Sequence, residues 1–290
     1  MTYRRTVFLI SRDTNPERVN VSILTAHEIV VQHGHRRRLN TVCFNVEAGE
    51  CVGILGPNGS GKTTLLRTLL GLQVPNSGDV LFESKRWAEI SMVEFSKAVG
   101  YLPQNATFHW PILVEQAVKL GRLPHQTSLV RKTSKDLGAI NRAIDTAEIR
   151  EFIDCRVDKI SGGERMRVHL ARLLAGEHRV IVADEPTASL DPKYQLHFLE
   201  VLKRQALQGT AVVLSLHDLS LAARFCDRLV VLDNGAVAVE GTPEQALNDR
   251  TLGTVFGVQA TRVRTTTGVS IVPTGALDTA KSNDDSADNI

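Results

Sequence analysis

The chain has 290 residues, 42% of them hydrophobic and 23% charged, with a formal net charge of +2. That length and apolar content support a sizeable core in one large domain or two modest ones, and the small net charge argues against a dedicated nucleic-acid binder. The four cysteines, Cys43, Cys51, Cys155 and Cys226, form no CxxC pair, so neither a disulfide framework nor a zinc site is expected, and a reducing cytosol is the simpler home.

Residues 1–22 read as a polar, weakly patterned N-terminal extension, whose apolar run Val7 to Ile10 is too short for a signal peptide. No later run approaches the length of a spanning helix. Ile23 to Gln32 and Thr41 to Val46 read as two strands joined by the basic tip His33-Gly34-His35-Arg36-Arg37-Arg38. The tip offers charge to an anion, but charge runs at turns are most often solvated, and it is taken as a hairpin end. Cys51 to Leu55 suits a buried strand. A helix follows with Leu65, Leu66, Leu69 and Leu70 on one face and Gly71 as its C-cap. Val80 to Phe82 and Val99 to Leu102 are further short strands. From about Pro111 the spacing of Val114, Val118, Ile140, Ile144, Ile149 and Ile153 turns helical. Val180 to Ala183, Ala211 to Leu216 and Leu229 to Leu232 are continuous apolar runs of the kind buried in parallel sheets. Thr242-Pro243-Glu244 predicts a helix start with Thr as N-cap. From Gly275 the composition loses its apolar pattern, so residues 275–290 are expected to be a disordered tail.

The segment Gly56-Pro57-Asn58-Gly59-Ser60-Gly61-Lys62-Thr63 has the G-x-x-x-x-G-K-[ST] spacing of a phosphate-binding loop between strand and helix. A loop wrapping a triphosphate must bring backbone N–H groups to oxygen, and a Cβ at Gly56, Gly59 or Gly61 would hold them off. Lys62 supplies a cation for the β- and γ-phosphates, Thr63 a hydroxyl for Mg²⁺, and the helix its positive end. Asp184 and Glu185 end an apolar run, and ligands sit at the carboxyl edge of parallel sheets. Asp184 is expected to hold the Mg²⁺ shell and Glu185 to polarise the attacking water. Ser161-Gly162-Gly163-Glu164 opens another helix with free N–H groups, a second phosphate pocket suited to the nucleotide of another copy.

Gly56 to Thr64, Gln104 after Tyr101-Leu102-Pro103, Ile160 to Glu164, Asp184-Glu185, Ser189-Leu190-Asp191 and His217 fall in one order. That order resembles the ATPase subunits of ABC transporters, from about Ile23 to Val258. The resemblance implies an α/β fold: a P-loop NTPase with a RecA-like core, an N-terminal antiparallel β subdomain and a helical subdomain inserted at about 105–165. Residues 259–274 are left as a C-terminal extension. It also implies ATP and Mg²⁺ as ligands, and two copies closing head to tail on two ATP. Gln104 would sense Mg²⁺ and link to the membrane partner. Ser161, Gly162, Gly163 and Glu164 would meet the partner's γ-phosphate, Asp191 would couple the sites, and His217 would hydrogen-bond the γ-phosphate.

Two departures stand out. His33 occupies the place of the usual adenine-stacking aromatic, which leaves base stacking weaker or shared with neighbours. The signature starts with Ile160 and ends with Glu164 where Leu and Gln are commonest, which leaves its N–H donors intact.

Gly121-Arg122-Leu123-Pro124-His125 and the stretch from His217 to Arg228 are similar to importer ATPases for iron-siderophore, haem and cobalamin. That similarity implies uptake of a metal chelate at the cytoplasmic face of a bacterial inner membrane, with a separate permease and, through it, a periplasmic binding protein. The rival readings are an export ATPase, and a soluble ABC protein acting on ribosomes or DNA. The second usually carries two cassettes or a long coiled-coil insert, and no nucleic-acid partner is expected here.

Overall fold

The computed structural model describes residues 22–125, 133–265 and 268–277. The expected N-terminal extension, Ser22 apart, and the expected tail beyond Leu277 lie outside the described residues.

Strands β1 (Ser22–His33) and β2 (Arg36–Glu47) form an antiparallel hairpin. Leu39, Val42, Phe44 and Val46 are buried on β2. The strand begins at Arg36, so the expected basic tip contracts to a turn at Gly34-His35, with Arg36 and Arg37 paired to His33 and Gln32 in the ladder and Arg38 left at a slip in its register. Pairing continues because an arginine stem packs against a strand surface while its head stays wet.

Strand β3 (Cys51–Leu55) is buried throughout and leads into α1 (Lys62–Leu69). Helix α1 ends as expected at Gly71, whose φ of 66° lets the N–H groups of Gly71 and Leu72 bond the Thr68 and Arg67 carbonyls at 3.0 and 2.9 Å. Strands β4 (Ser77–Phe82) and β5 (Lys85–Arg86) complete an antiparallel sheet of order β2-β1-β4-β5. Helix α2 (Met92–Ala98), started by a Ser91–Glu94 capping box, feeds strand β6 (Val99–Leu102).

A helical segment intervenes: α3 (Val114–Lys119), a 3₁₀ stretch Leu120–His125, α4 (Ser134–Thr146) and α5 (Gly162–Ala175). The expected helical run holds for Ile140 and Ile144 on α4 but not beyond. Glu148, at a φ of 53°, breaks the chain, and Ile149 and Ile153 flank a short 3₁₀ turn at Arg150–Phe152. The Gly121 to His125 motif is an internal tie. Arg122 is 2% exposed, and it donates to Asp136 at 2.9 Å, Glu177 at 2.7 Å and the Ala175 carbonyl at 3.1 Å. A Cβ on Gly121 would lie 2.1 Å from the Arg172 carbonyl oxygen, so glycine lets this stretch seat on α5.

The chain then alternates strand and helix: β7 (Val180–Asp184), α6 (Pro192–Leu207), β8 (Ala211–Ser215), α7 (Leu219–Phe225), β9 (Arg228–Asp233) and the antiparallel β10 (Ala236–Gly241). The sheet runs β10-β9-β3-β8-β7-β6, parallel except at β10. Alternate strand residues feed two cores. Val52, Ile54 and Val182 join Leu65, Leu66 and Leu69 of α1 beneath the antiparallel sheet, whereas Leu55, Ile181 and Leu214 face the helices on the other side. Burying each such side chain contributes about 1.5–3 kcal/mol. Arg228 crosses between sheets, 2.7 Å from Glu50 and 2.7 Å from the Asn45 carbonyl, and fixes the start of β9.

Short helices α8 (Pro243–Ala246), capped by Thr242 as expected, and α9 (Asp249–Thr254) precede a hairpin of β11 (Val258–Thr265) and β12 (Gly268–Ala276). The hairpin lies on α7, where Ser220 Oγ exchanges hydrogen bonds with the Ile271 backbone at 2.9 and 3.0 Å. Strand β12 runs through Gly275 and Ala276, so the patterned chain continues past the expected onset of the tail.

Candidate active site

Between β3 and α1 the chain makes a turn that only glycine accommodates at its ends. Gly56 has a φ of 146°, and a Cβ there would sit 2.2 Å from the Leu232 carbonyl oxygen. Gly61 has a φ of 107°, with the Arg38 carbonyl oxygen 2.8 Å from where its Cβ would be. Gly59, at a φ of 81°, has nothing near its Cβ position, so backbone conformation rather than crowding accounts for it. Helix α1 starts at Gly61 with no side-chain cap and no acid in its first turn. Its leading N–H groups therefore have no competing internal anion, which suits them to phosphate.

Lys62 folds back over this loop. Its Nζ donates to the Gly56 carbonyl at 2.8 Å and the Pro57 carbonyl at 3.3 Å. Burial lowers the Lys62 pKa, partly opposed by the charges of Glu185 and Asp184. The Ser60 hydroxyl is buried without a hydrogen-bond partner.

The acids arrive from β7, next to β8. Asp184 pairs in register with Ser215. Ser215 Oγ donates to Asp184 Oδ1 at 2.5 Å and accepts from the Glu185 N–H at 2.8 Å, so one hydroxyl orients both acids. Asp184 Oδ2 is buried and unpartnered. A carboxylate oxygen left bare in a buried position is costly unless a cation completes it, so Asp184 fits a hard divalent ion, and Thr63 lines the cleft together with the adjacent Glu185.

Glu185 has a φ of 50°, unusual for a non-glycine residue, which turns its side chain away from the strand's alternation. Gln104 Nε2 donates to Glu185 Oε2. His217 Nε2 lies 2.5 Å from Glu185 Oε1. Gln104 follows β6, Glu185 follows β7 and His217 follows β8, so three adjacent strand ends deliver the trio.

A cleft of about 270 Å³ joins these parts. Asn58, Gly59, Gly61, Lys62, Thr63 and Thr64 line one wall, Gln104 and Glu185 another. All eight were expected from sequence. Arg38 also lines it, although the sequence alone put Arg38 in a solvated turn. Ser215 was missed as well, since its role depends on register. Its signal was a single hydroxyl inside the apolar run Ala211 to Leu216.

The remaining expected residues lie elsewhere. Ser161 caps α5 through a capping box, its Oγ accepting from the Glu164 N–H at 3.2 Å and the Glu164 carboxylate accepting from the Ser161 N–H at 2.7 Å. Those bonds hold the Glu164 pKa low. Ser161 and Gly162 are exposed, and neither they nor Gly163, Glu164 or Asp191 line the cleft. Asp191 is the N-cap residue of α6 without a side-chain cap bond. His33 is exposed at the end of β1, its Nε2 2.7 Å from Gln73 Nε2, and is likewise outside the lining.

Comparison with known proteins places this architecture. The family model described as ABC transporter matches residues 39–188. The hemin import ATP-binding protein HmuV of Pseudomonas fluorescens is 38% identical over 244 residues, covering 82% of this chain and 93% of that protein. The cobalamin import ATP-binding protein BtuD of Halobacterium salinarum is 40% identical over 221 residues, which span 76% of this chain and 55% of that one. Among solved structures, a dimeric ATP-binding cassette in a post-hydrolysis state with ADP and Pi superposes with a TM-score of 0.66 at 28% identity, over 76% of this chain and 99% of that one. The chain therefore belongs to the ABC transporter family, as an ATP-hydrolysing cassette coupled to transport.

Proposed function

We propose that this cassette powers import of a metal chelate of the haem, cobalamin or iron-siderophore class, as a peripheral subunit on the cytoplasmic face of a bacterial inner membrane. The observation that carries the direction of transport is the similarity to hemin and cobalamin import proteins over most of the chain, since the fold alone is shared by cassettes of many transporters. Among the described residues no helix is long and apolar enough to cross a membrane, which is consistent with a separate permease.

In this reading Lys62 and the N–H groups from Asn58 to Thr64 hold the triphosphate. Asp184 and Thr63 would hold Mg²⁺, with Gln104 beside them, and the ion would supply neutralising charge on the β- and γ-phosphates. Glu185 orients and deprotonates the attacking water. Gln104 donates to one of its oxygens and His217 Nε2 lies against the other, and each oxygen keeps lone-pair capacity for that water. His217 lies against that carboxylate and, in this reading, would hydrogen-bond the γ-phosphate. Ser161 to Glu164 and Asp191, which do not line their own cleft, meet the nucleotide of a second copy. Residues 105–125 form the permease contact. They follow Gln104 in the chain and carry the exposed Trp110, Leu113, Leu120 and Leu123. The periplasmic binding protein communicates only through that permease.

The test is uptake by vesicles reconstituted with the cassette and its permease, comparing haem, cobalamin and ferric siderophores as cargo. ATP-dependent accumulation of one chelate is expected. ATP hydrolysis with efflux of the cargo, or with movement of none of the three, would overturn the import reading.

A further inference from the structure

The nucleotide cleft is bounded on one side by Gln104 and Glu185, which follow β6 and β7, and on the other by the hairpin β1–β2, which meets the β9–β10 turn. The phosphate loop follows β3, between the two. A triphosphate whose γ end lies at Glu185 must therefore send its sugar and base toward the hairpin. Two hairpin residues compete to receive the base: His33, at the place where the resemblance expects an aromatic, and Arg38.

Three observations favour Arg38. First, Arg38 lines the cleft and His33 does not. Second, the β1–β2 ladder slips at Arg38. Val31 pairs with Leu39 and Gln32 with Arg37, so Arg38 has no partner on β1. An extra residue of this kind bends the strand and re-aims its side chain, and such bulges recur beside active sites. Third, its main chain packs closely on Gly61 of the phosphate loop and on Gly235, while its head group is uncommitted. The Arg38 carbonyl oxygen lies within 2.8 Å of the positions a Cβ would take on Gly61 and Gly235, and the neighbouring Asn40 N–H bonds the Gly235 carbonyl at 2.7 Å. Among the described residues the Arg38 guanidinium makes no hydrogen bond or ion pair, whereas the His33 ring is engaged by Gln73.

We infer that Arg38 is the base-contacting residue of this cassette, its planar guanidinium stacking on the nucleobase in place of the His33 ring, which lies outside the cleft against Gln73. The inference rests on the ATPase reading above. A guanidinium plane suits this role because it stacks on π-faces and carries a delocalised charge that does not need to be buried in a pair. Such a platform reads the face of a base and not its edge, so it treats adenine and guanine alike.

The experiment measures steady-state hydrolysis of ATP and GTP, together with inhibition by tripolyphosphate, which has the phosphates and no base. Arg38→Ala is expected to raise KM for ATP and GTP by about tenfold each with kcat within twofold, and to leave tripolyphosphate inhibition unchanged. Arg38→Lys, which keeps charge but loses the plane, should resemble Arg38→Ala, and Arg38→Tyr should restore KM. His33→Ala should have the smaller effect. Equal weakening of tripolyphosphate would make Arg38 a phosphate contact, and rescue by Arg38→Lys would make it a point charge. Either result, or a larger KM effect from His33→Ala, overturns the inference. Failure of the parent chain to hydrolyse any nucleotide would instead remove the reading beneath it.

Discussion

Glu185 illustrates how a single backbone torsion can decide a role. Its left-handed φ carries it off the line of β7, so that neighbouring acids diverge: Asp184 stays 1% exposed against Ser215, and Glu185 reaches His217 and Gln104. Strain of about 1–3 kcal/mol at such a position persists because Ser215 holds the Glu185 N–H. Glu185→Gln keeps shape and the Gln104 side of the network but cannot take a proton. It is expected to lower kcat by about a hundredfold or more while nucleotide affinity changes by less than about threefold, as read by single-turnover hydrolysis and by titration with a fluorescent ATP analogue. Hydrolysis at the parent rate would move the base elsewhere. Most of this site was legible in the sequence because glycine spacing and terminal acids are local signals. Ser215 and Arg38 were not, since one depends on which strand lies beside β7 and the other on a slipped register.

Helix α5 has a polar start at Ser161 and a buried middle, and His169 belongs to the middle. It is 1% exposed, stacks on Phe108 with ring centroids 4.0 Å apart, and neither ring nitrogen makes a hydrogen bond of ordinary geometry. Burial, with Arg172 nearby, lowers its pKa to about 4. The sign follows from linkage: the unfolded ring binds a proton near pH 6.5 and the folded ring does not, so stability present above pH 6.5 is lost as pH falls toward 4. Between pH 7 and pH 5 this one group should cost about 2 kcal/mol. Urea denaturation of the parent and His169→Phe at both pH values checks it, and the variant should lose less stability on acidification. An equal loss in both would acquit His169. The segment that holds Phe108 also carries Gln104, so the stack links α5 to the catalytic cleft. Sequence periodicity found α3 and α4 in outline, and the Ser161 turn marked the start of α5, yet the pattern also ran on through Ile149 and Ile153. Apolar spacing alone does not register a single left-handed residue such as Glu148.

On the scale of the molecule, the cleft is built asymmetrically. The phosphate loop lines one side of it and Gln104 and Glu185 the other, and the described chain supplies no residue of the Ser161 to Glu164 turn to it. Ser161 and Gly162 of that turn instead stand exposed at the start of α5, at the positive end of its dipole. Two such molecules facing head to tail would each complete the other's cleft, and ATP would then act as the joint whose binding closes the pair. A negative charge on the turn should oppose this directly: a carboxylate set against phosphate at about 4 Å costs on the order of 1–4 kcal/mol, depending on how much water remains. Loss of the Ser161 cap accounts for only about 1 kcal/mol, too little to unfold the domain. In a Glu185→Gln background, which holds ATP without hydrolysing it, light scattering should report a dimer on adding ATP and Mg²⁺. Adding Ser161→Glu should leave a monomer that binds ATP as tightly per chain as the isolated parent. If the double variant still dimerises on ATP, the turn does not meet a partner's nucleotide, and the cleft must be completed by some other surface of the chain.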